Sequence, residues 1–304
     1  SEFDCCGRRV ERRIGDQTLR MRYDGMGGLL EWQLDDHAPL QFTRDETGQE
    51  RRRASPLGFA LESDWDAVGQ LTRQQGPGIR RDYDWTRAYE PRVITDARWG
   101  EKRYDYDQNG QITRTQHGDG SAERFAYTPD LNIAATGGDT DRFLNWQTTA
   151  AGVVRIAHGP HGEIVTLEQD TCGRVVRRTV SRKGFRPQTW TFGWNAQDQL
   201  VLADGPNGRW RYGYDPFGRR IFKECAGHRE DFLWDGDVVA RAGAVDWFFE
   251  PDSFRPMARV EHGQLAYVVN DHLGTPKEVI AERGALIWAA DHDTWGTLRL
   301  GRAV

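Results

Sequence analysis

Lysine is almost missing from this chain. Of 304 residues only Lys102, Lys183, Lys223 and Lys277 are lysines, so the basic charge is carried by arginine. The formal net charge of −5 is small for the length and gives no reason to expect a nucleic-acid partner. The local run Arg51, Arg52 and Arg53 reads as a solvated face. Cysteine is scarce too: Cys5 and Cys6 adjoin, and Cys172 and Cys225 stand far away. That pattern has neither metal-ligand spacing nor the density of a secreted disulfide scaffold, and reduced thiols are expected. No apolar run approaches the ~18 to 20 residues that a membrane-crossing helix needs, and no opening segment reads as a signal peptide. A chain made in the cytosol is expected. Phosphate loops ending in GK[ST] and the zinc motif HExxH do not occur, and no Ser-His-Asp constellation stands out.

What the sequence has in quantity is glycine, at 34 positions, and aromatic residues, 11% of the chain with twelve tryptophans. That mixture fits strands joined by many reversals and not a helical bundle. A template of an aromatic or polar residue, Asp, two variable residues and Gly slides along the chain and keeps matching. It reads "FDCCGRRV" from Phe3, "YDGMGGL" from Tyr23, "RDETGQE" from Arg44, "WDAVGQL" from Trp65, "YDQNGQI" from Tyr106, "QDTCGRV" from Gln169, "WNAQDQL" from Trp194 and "YDPFGRR" from Tyr214. Degenerate copies fill the gaps: "WTRAYEP" from Trp85, "YTPDLNI" from Tyr127, "TTAAGVV" from Thr148 and "WDGDVVA" from Trp234. The spacing is about 20 to 21 residues, with one longer step from Gln169 to Trp194, and a fixed period in this range is the mark of a repeat architecture.

Between the matches lies a second punctuation, including "QQGPG" at Gln74, "QHGDGS" at Gln116, "TGGDTD" at Thr136, "HGPHG" at His158, "ADGPNG" at Ala203 and "EHGQ" at Glu261. Two reversals per unit predict two strands per unit, as consecutive antiparallel hairpins. Alternation supports this: in "RWRYGY" the rings of Trp210, Tyr212 and Tyr214 share one face of a strand, and Trp190, Phe192 and Trp194 do the same in "TWTFGW". The turn residues expected to define the array are Asp24 with Gly27, Asp66 with Gly69, Asp107 with Gly110, Asp170 with Gly173, and Asp215 with Gly218. Asp can accept backbone N–H groups further along the turn, and Gly can take a positive φ without a Cβ clash. The fold class predicted is all-β, a stacked array in which each unit needs its neighbours to bury its apolar face.

These units resemble the YD repeats of the Rhs family, which also occur in insecticidal toxin-complex C components, bacterial wall-associated toxins and animal teneurins. The most specific part is "YVVNDHLGTPKEVIAERGALIWAADHDTWGTLR", Tyr267 to Arg299, which is similar to the Rhs signature segment. Its key residues are Asp271, His272, Leu273, Gly274, Thr275, Pro276, Trp288, Asp293, Trp295 and Gly296. The chain therefore divides into a repeat array over 1–260 and a signature segment over 261–304 that continues the same sheet. The resemblance implies a spiral sheet forming part of a hollow β-shell that encloses or presents a toxic C-terminal effector in interbacterial competition. It implies as partners the remaining parts of the shell, the enclosed toxin domain and a delivery-apparatus protein, with export by a dedicated system such as type VI secretion and no signal peptide. The self-cleaving D-P-x-G-L motif that follows the signature in many bacterial relatives is absent up to Val304. The chain is accordingly expected to be a fragment or short orphan copy of a longer cage, with no enzymatic activity and no cofactor.

The best catalytic-looking set is Asp271 and His272 with Asp291, His292 and Asp293, which could converge if their segments pair as neighbouring strands, as an acid/base or metal site. The stronger reading is structural, because Asp271 and Asp293 each precede a Gly within three residues and so repeat the turn chemistry. In the same way "HGPHGE", His158 to Glu163, reads as a hairpin tip and not a ligand pair. Two further functional classes stay open on the sequence: a surface module that binds carbohydrate or a receptor through aromatics and arginines, and a self-processing protease whose active segment lies outside these residues.

Overall fold

The computed structural model describes residues 1–138, 145–148, 153–159 and 162–303, and it is built of strands, turns and bends without a helix among those residues. Among the described residues thirty strands follow one another, and the chain resolves into two compact units, one of Ser1–Arg103 with Trp247–Val304 and one of Tyr104–Asp246. Within each, strands adjacent in sequence pair antiparallel; for example Met21 faces Trp32 and Tyr212 faces Lys223.

Two kinds of turn alternate. One is the Asp-x-x-Gly turn of the template. At Asp24 the backbone N–H donates to the Gly28 carbonyl (2.8 Å), while Gly27 N–H donates to the Asp24 carbonyl (3.2 Å), with Gly27 at φ 92°. The same pair of bonds closes Asp66–Gln70, Asp107–Gln111, Asp170–Arg174 and Asp215–Arg219. The register slips by one residue just before the Asp, as between Arg22 and Tyr23, the mark of a bulge beside a type I turn. The degenerate copies keep this geometry at a steric cost, with Tyr89 at φ 66° and Leu131 at φ 64° where the template has glycine.

The second kind is the two-residue hairpin, as at Ala226–Gly227 and His262–Gly263, both residues of each at positive φ. "WDGDVVA" joins this kind: Asp235 pairs with Val238, because its glycine follows the Asp directly instead of standing three residues on. "QHGDGS" goes the other way and closes like the Asp turns, His117 N–H donating to Ser121 carbonyl (2.9 Å). The long step after Gln169 is explained by the residues between strands Val175–Arg182 and Gln188–Trp194, where Val180 already faces Gln188. Most of "TTAAGVV", the end of "TGGDTD" and the centre of "HGPHG" lie outside the described residues.

In the first unit the repeat strands bury an aliphatic and aromatic face. Trp32, Leu34, Leu40, Phe42, Phe59, Leu61 and Ile79 form one core with Phe248, Met257, Val260, Leu265, Tyr267, Val269 and Ile280 of the C-terminal strands. The signature strands thus form a second layer over the first repeats. Backbone closes the edge: a Cβ on Gly58 would stand 2.9 Å from the Arg283 carbonyl oxygen, and one on Gly284 2.9 Å from that of Gly58. The second unit is built from the same hairpins but buries far less. From 166 to 239 no side chain is fully buried.

Candidate functional site

The site residues expected from the sequence fall into a turn system and a buried polar layer. In the turns, one carboxylate oxygen does two jobs. Asp215 Oδ1 accepts from Phe217 N–H and Arg219 N–H (both 2.9 Å), while Oδ2 accepts from Arg219 Nε (2.7 Å). Asp24, Asp66, Asp107, Asp170 and Asp271 hold the same two backbone donors at 2.7–3.0 Å. At Asp4 the backbone N–H of Arg8, and at Asp170 the Arg174 side chain, hold the carboxyl below the usual carboxylate range.

The turns are also tied to one another. The residue after the turn Gly reaches the neighbouring turn in several copies: Arg8 Nη1 donates to the Asp24 carbonyl (3.0 Å), Arg174 Nη1 to that of Asn195 (3.2 Å) and Arg219 Nη1 to that of Gly236 (2.6 Å), and Arg255 Nη2, at the close of the Glu250 turn, donates to that of His272 (3.1 Å). Gly69 has φ 84°, and its missing Cβ would stand 3.0 Å from the Gln49 side chain of the turn before. Gly110, Gly173, Gly218, Gly274 and Gly296 share the positive φ.

In many units the residue that opens the turn acts as a latch. Trp65 Nε1 donates to the Glu50 carbonyl, Trp85 Nε1 to Leu71, Tyr127 Oη to Ile112, Tyr214 Oη to Leu200 and Trp234 Nε1 to Arg220, all at 2.8 Å. Each accepting carbonyl belongs to the first residue of the neighbouring strand. Gln169 and Asn270 donate from a carboxamide to Val154 and Pro256. Sequence reasoning read these aromatics only as apolar area. The signal for the latch was their polar edge, since Trp, Tyr, Gln and Asn all carry a donor and Phe does not occupy this place in these copies.

The buried polar layer lies in the first unit, between its repeat strands and the signature strands. Arg81, 1% exposed, donates from Nε to Asp96 (2.9 Å), from Nη1 to Gln74 (2.9 Å) and from Nη2 to Glu278 (2.6 Å). Tyr83 Oη donates to the same Gln74 oxygen (2.9 Å), and Gln74 Nε2 to the Asn270 carbonyl (3.0 Å). Burial pushes the Glu278 carboxyl up, against the pull of Arg81. A second cluster surrounds Asp291: Lys102 Nζ at 2.9 Å, Lys277 Nζ at 3.3 Å and Arg299 Nη1 at 3.7 Å. Burial alone would raise the Asp291 pKa, but the two lysines hold it below the usual range. Arg53 is a correction to the solvated-face reading of 51–53: it is nearly buried, with Nε on Glu50 (2.5 Å) and Nη2 on Glu250 (2.6 Å). Arg51 and Arg52 are exposed, paired with Asp64 and Glu62.

Of the five residues of the catalytic-looking set, Asp291 and Asp293 share Arg299 (3.7 and 3.3 Å). Asp271 and Asp293 head turns, Asp291 is held by cations, and the His292 carbonyl accepts from Lys102 Nζ (2.7 Å). His272 packs edge-on against Tyr83 and Trp85, each with centroids 5.4 Å apart. Burial lowers its pKa, so the ring is neutral at neutral pH. It lines a cavity of about 610 Å³ with Trp65, Gln74, Trp85, Arg255 and Asn270. Of the remaining signature residues, Thr275 and Pro276 lead into the strand Pro276–Ala281, Trp288 faces Ala303, and Leu273 and Trp295 are exposed. This arrangement orders strands and turns: Arg81 is engaged with Glu278 and Asp291 with Lys102, while among the described residues both ring nitrogens of His272 are buried without a hydrogen-bond partner.

Comparison with known proteins places the array. The family model described as "RHS protein" matches residues 265–301. The chain is 32% identical to "Probable deoxyribonuclease RhsA" of Dickeya dadantii (strain 3937), over 92% of this chain and 21% of that protein. It is 25% identical to "Double-stranded DNA deaminase toxin A" of Burkholderia cenocepacia (strain H111), over 92% of this chain and 22% of that protein. Among solved structures, "Crystal Structure of TcdB2-TccC3-Cdc42" matches with a TM-score of 0.64 at 14% identity, covering all of this chain and 18% of that one. The chain thus spans about a fifth of the length of the curated relatives it matches. The repeat turns, the latches, the signature segment and this relatedness together make the chain a member of the Rhs family.

Proposed function

We propose that this chain is a section of the β wall of an Rhs-type toxin, a structural part that encloses or presents a toxic C-terminal effector in interbacterial competition. The observation that carries the reading is a contrast between relatives. One is named a deoxyribonuclease and another a DNA deaminase toxin, yet both share this same region, about a fifth of their length. A region common to proteins with two different chemistries serves both and is the specific catalyst of neither. On this proposal the chain has no catalytic activity of its own. It works with the other parts of the shell, the effector and a delivery apparatus, is made in the cytosol and leaves by that apparatus.

Two measurements test it. The purified chain should neither cleave nor deaminate DNA; activity lost on His272→Ala would overturn the structural role. In the full-length protein that carries this chain, the effector should resist added protease until acid or urea opens the wall. An effector digested equally fast before and after opening removes the enclosure reading.

A further inference from the structure

The two units expose the same strand face to different fates. In the first unit, cations on the covered face of the repeat strands are met by carboxylates of the layer above: Arg53 by Glu250, Arg81 by Glu278 and Lys102 by Asp291. In the second unit the corresponding face runs across the strands from Val175 to Asp235. Directly opposite residues share a face. Arg178 faces Trp190, Phe192 faces Ala203, Ala203 faces Trp210, and Tyr212 faces Lys223. All are partly exposed, and no side chain from 166 to 239 is buried.

The charges on that face are incompletely matched. Lys223 has Glu230 at 2.6 Å. Arg178 stands in the same place relative to its turn Asp170 as Arg53 does to Asp45, yet its contact is the Trp190 ring, 4.8 Å away. Arg220 lies over Tyr212 (4.7 Å) and Tyr214 (5.9 Å), and its Nε is buried without a hydrogen-bond acceptor. Among the described residues neither guanidinium has a carboxylate within ion-pair distance. An aromatic face with two uncompensated guanidiniums lacks what the first unit's second layer supplies, namely apolar side chains interspersed with carboxylates.

We propose that the face of strands 175–235 docks a polypeptide segment in which carboxylates alternate with apolar side chains, laid on as the signature strands lie on the first repeats. Resting on the enclosure reading, the proposal assigns this segment to the enclosed effector. The acidic residues of the segment would replace the missing partners of Arg178 and Arg220, and its apolar residues would cover Trp190, Phe192, Trp210 and Tyr212.

The test uses the whole chain and a labelled peptide of alternating glutamate and leucine, read by fluorescence anisotropy. Binding should weaken about tenfold or more in Arg178→Glu/Arg220→Glu, and the same peptide with lysine for glutamate should bind that variant better than the parent chain. Rescue by charge exchange also shows that the variant is folded. Equal binding of both peptides to the parent overturns the proposal. So does a sulfated oligosaccharide that binds through these arginines where the peptide does not, or a dimer in sedimentation that the double variant abolishes, which would make the occupant a second copy. Absent peptide binding with intact protease protection of the effector in the full-length protein overturns this proposal alone; loss of both overturns the enclosure reading with it.

Discussion

Replacing Leu131 by glycine should make this protein more stable. Leu131 is 58% exposed and held at φ 64° at a turn position where the regular copies use glycine. Relief of about 1–2 kcal/mol of left-handed strain outweighs the extra chain entropy of glycine, about 0.5–1 kcal/mol. A higher melting temperature is the expected outcome, and a lower one would mean that the leucine packs usefully. The reverse change, Gly218→Ala at φ 82°, should cost about 1–2 kcal/mol. His272 supplies a prediction in pH. Its folded pKa lies below the ordinary value because of burial, so the unfolded chain takes the proton first. Stability is therefore present above about pH 6.5 and lost as pH falls through the folded value. His272→Phe keeps a ring between Tyr83 and Trp85 and should flatten that limb of a melting-temperature profile. The turn carboxylates of Asp4 and Asp170, lowered by their hydrogen bonds, leave a second fall at more acid pH in both proteins.

At the scale of strands and layers, the polar seam decides more than any one contact. Arg81→Met leaves Glu278 and Asp96 buried without their cation, and should cost about 3–5 kcal/mol. Adding Glu278→Leu should cost less than the sum of the two single changes, with a coupling of about 0.5–3 kcal/mol in a denaturant cycle; strict additivity would show that the two do not act as a pair. The turns and hairpins were legible in the sequence because Asp and Gly recur at fixed offsets and act locally. "WDGDVVA" was misread as the same turn because one shifted glycine changes the turn type. The seam was not legible: Arg81 and Glu278 meet across most of the chain length, and period counting carries no information about which layers stack. One local hint was available, an arginine at 81 on the same side as Ile79 and Tyr83, where an alternating strand should be apolar.

Across the whole molecule, stability should be uneven. The unit of 1–103 and 247–304 has a two-layer core, whereas residues 166–239 have no buried side chain. Hydrogen exchange should therefore be slower in strands such as Gln264–Asn270 than in Gly208–Tyr214, since opening costs less where little apolar surface is buried. Equal protection by mass spectrometry would contradict this. The stitches between turns also set where the protein can change length. Asp turns such as those closed by Arg8 and Arg174 are hydrogen-bonded to the turn one unit away, so a residue added there breaks the stitch to its neighbour. The hairpin at Pro77–Gly78 is stitched as well, its Gly78 carbonyl accepting from Arg98 Nη2 (3.2 Å), but between Arg182 and Gln188 the chain holds a longer connection without loss of register in the strands on either side. Short insertions and deletions are thus favoured at unstitched reversals, while growth at stitched ones proceeds by gain or loss of whole units. The loop of 183–187 is the natural place to graft a tag, a fluorophore or a protease site into this sheet.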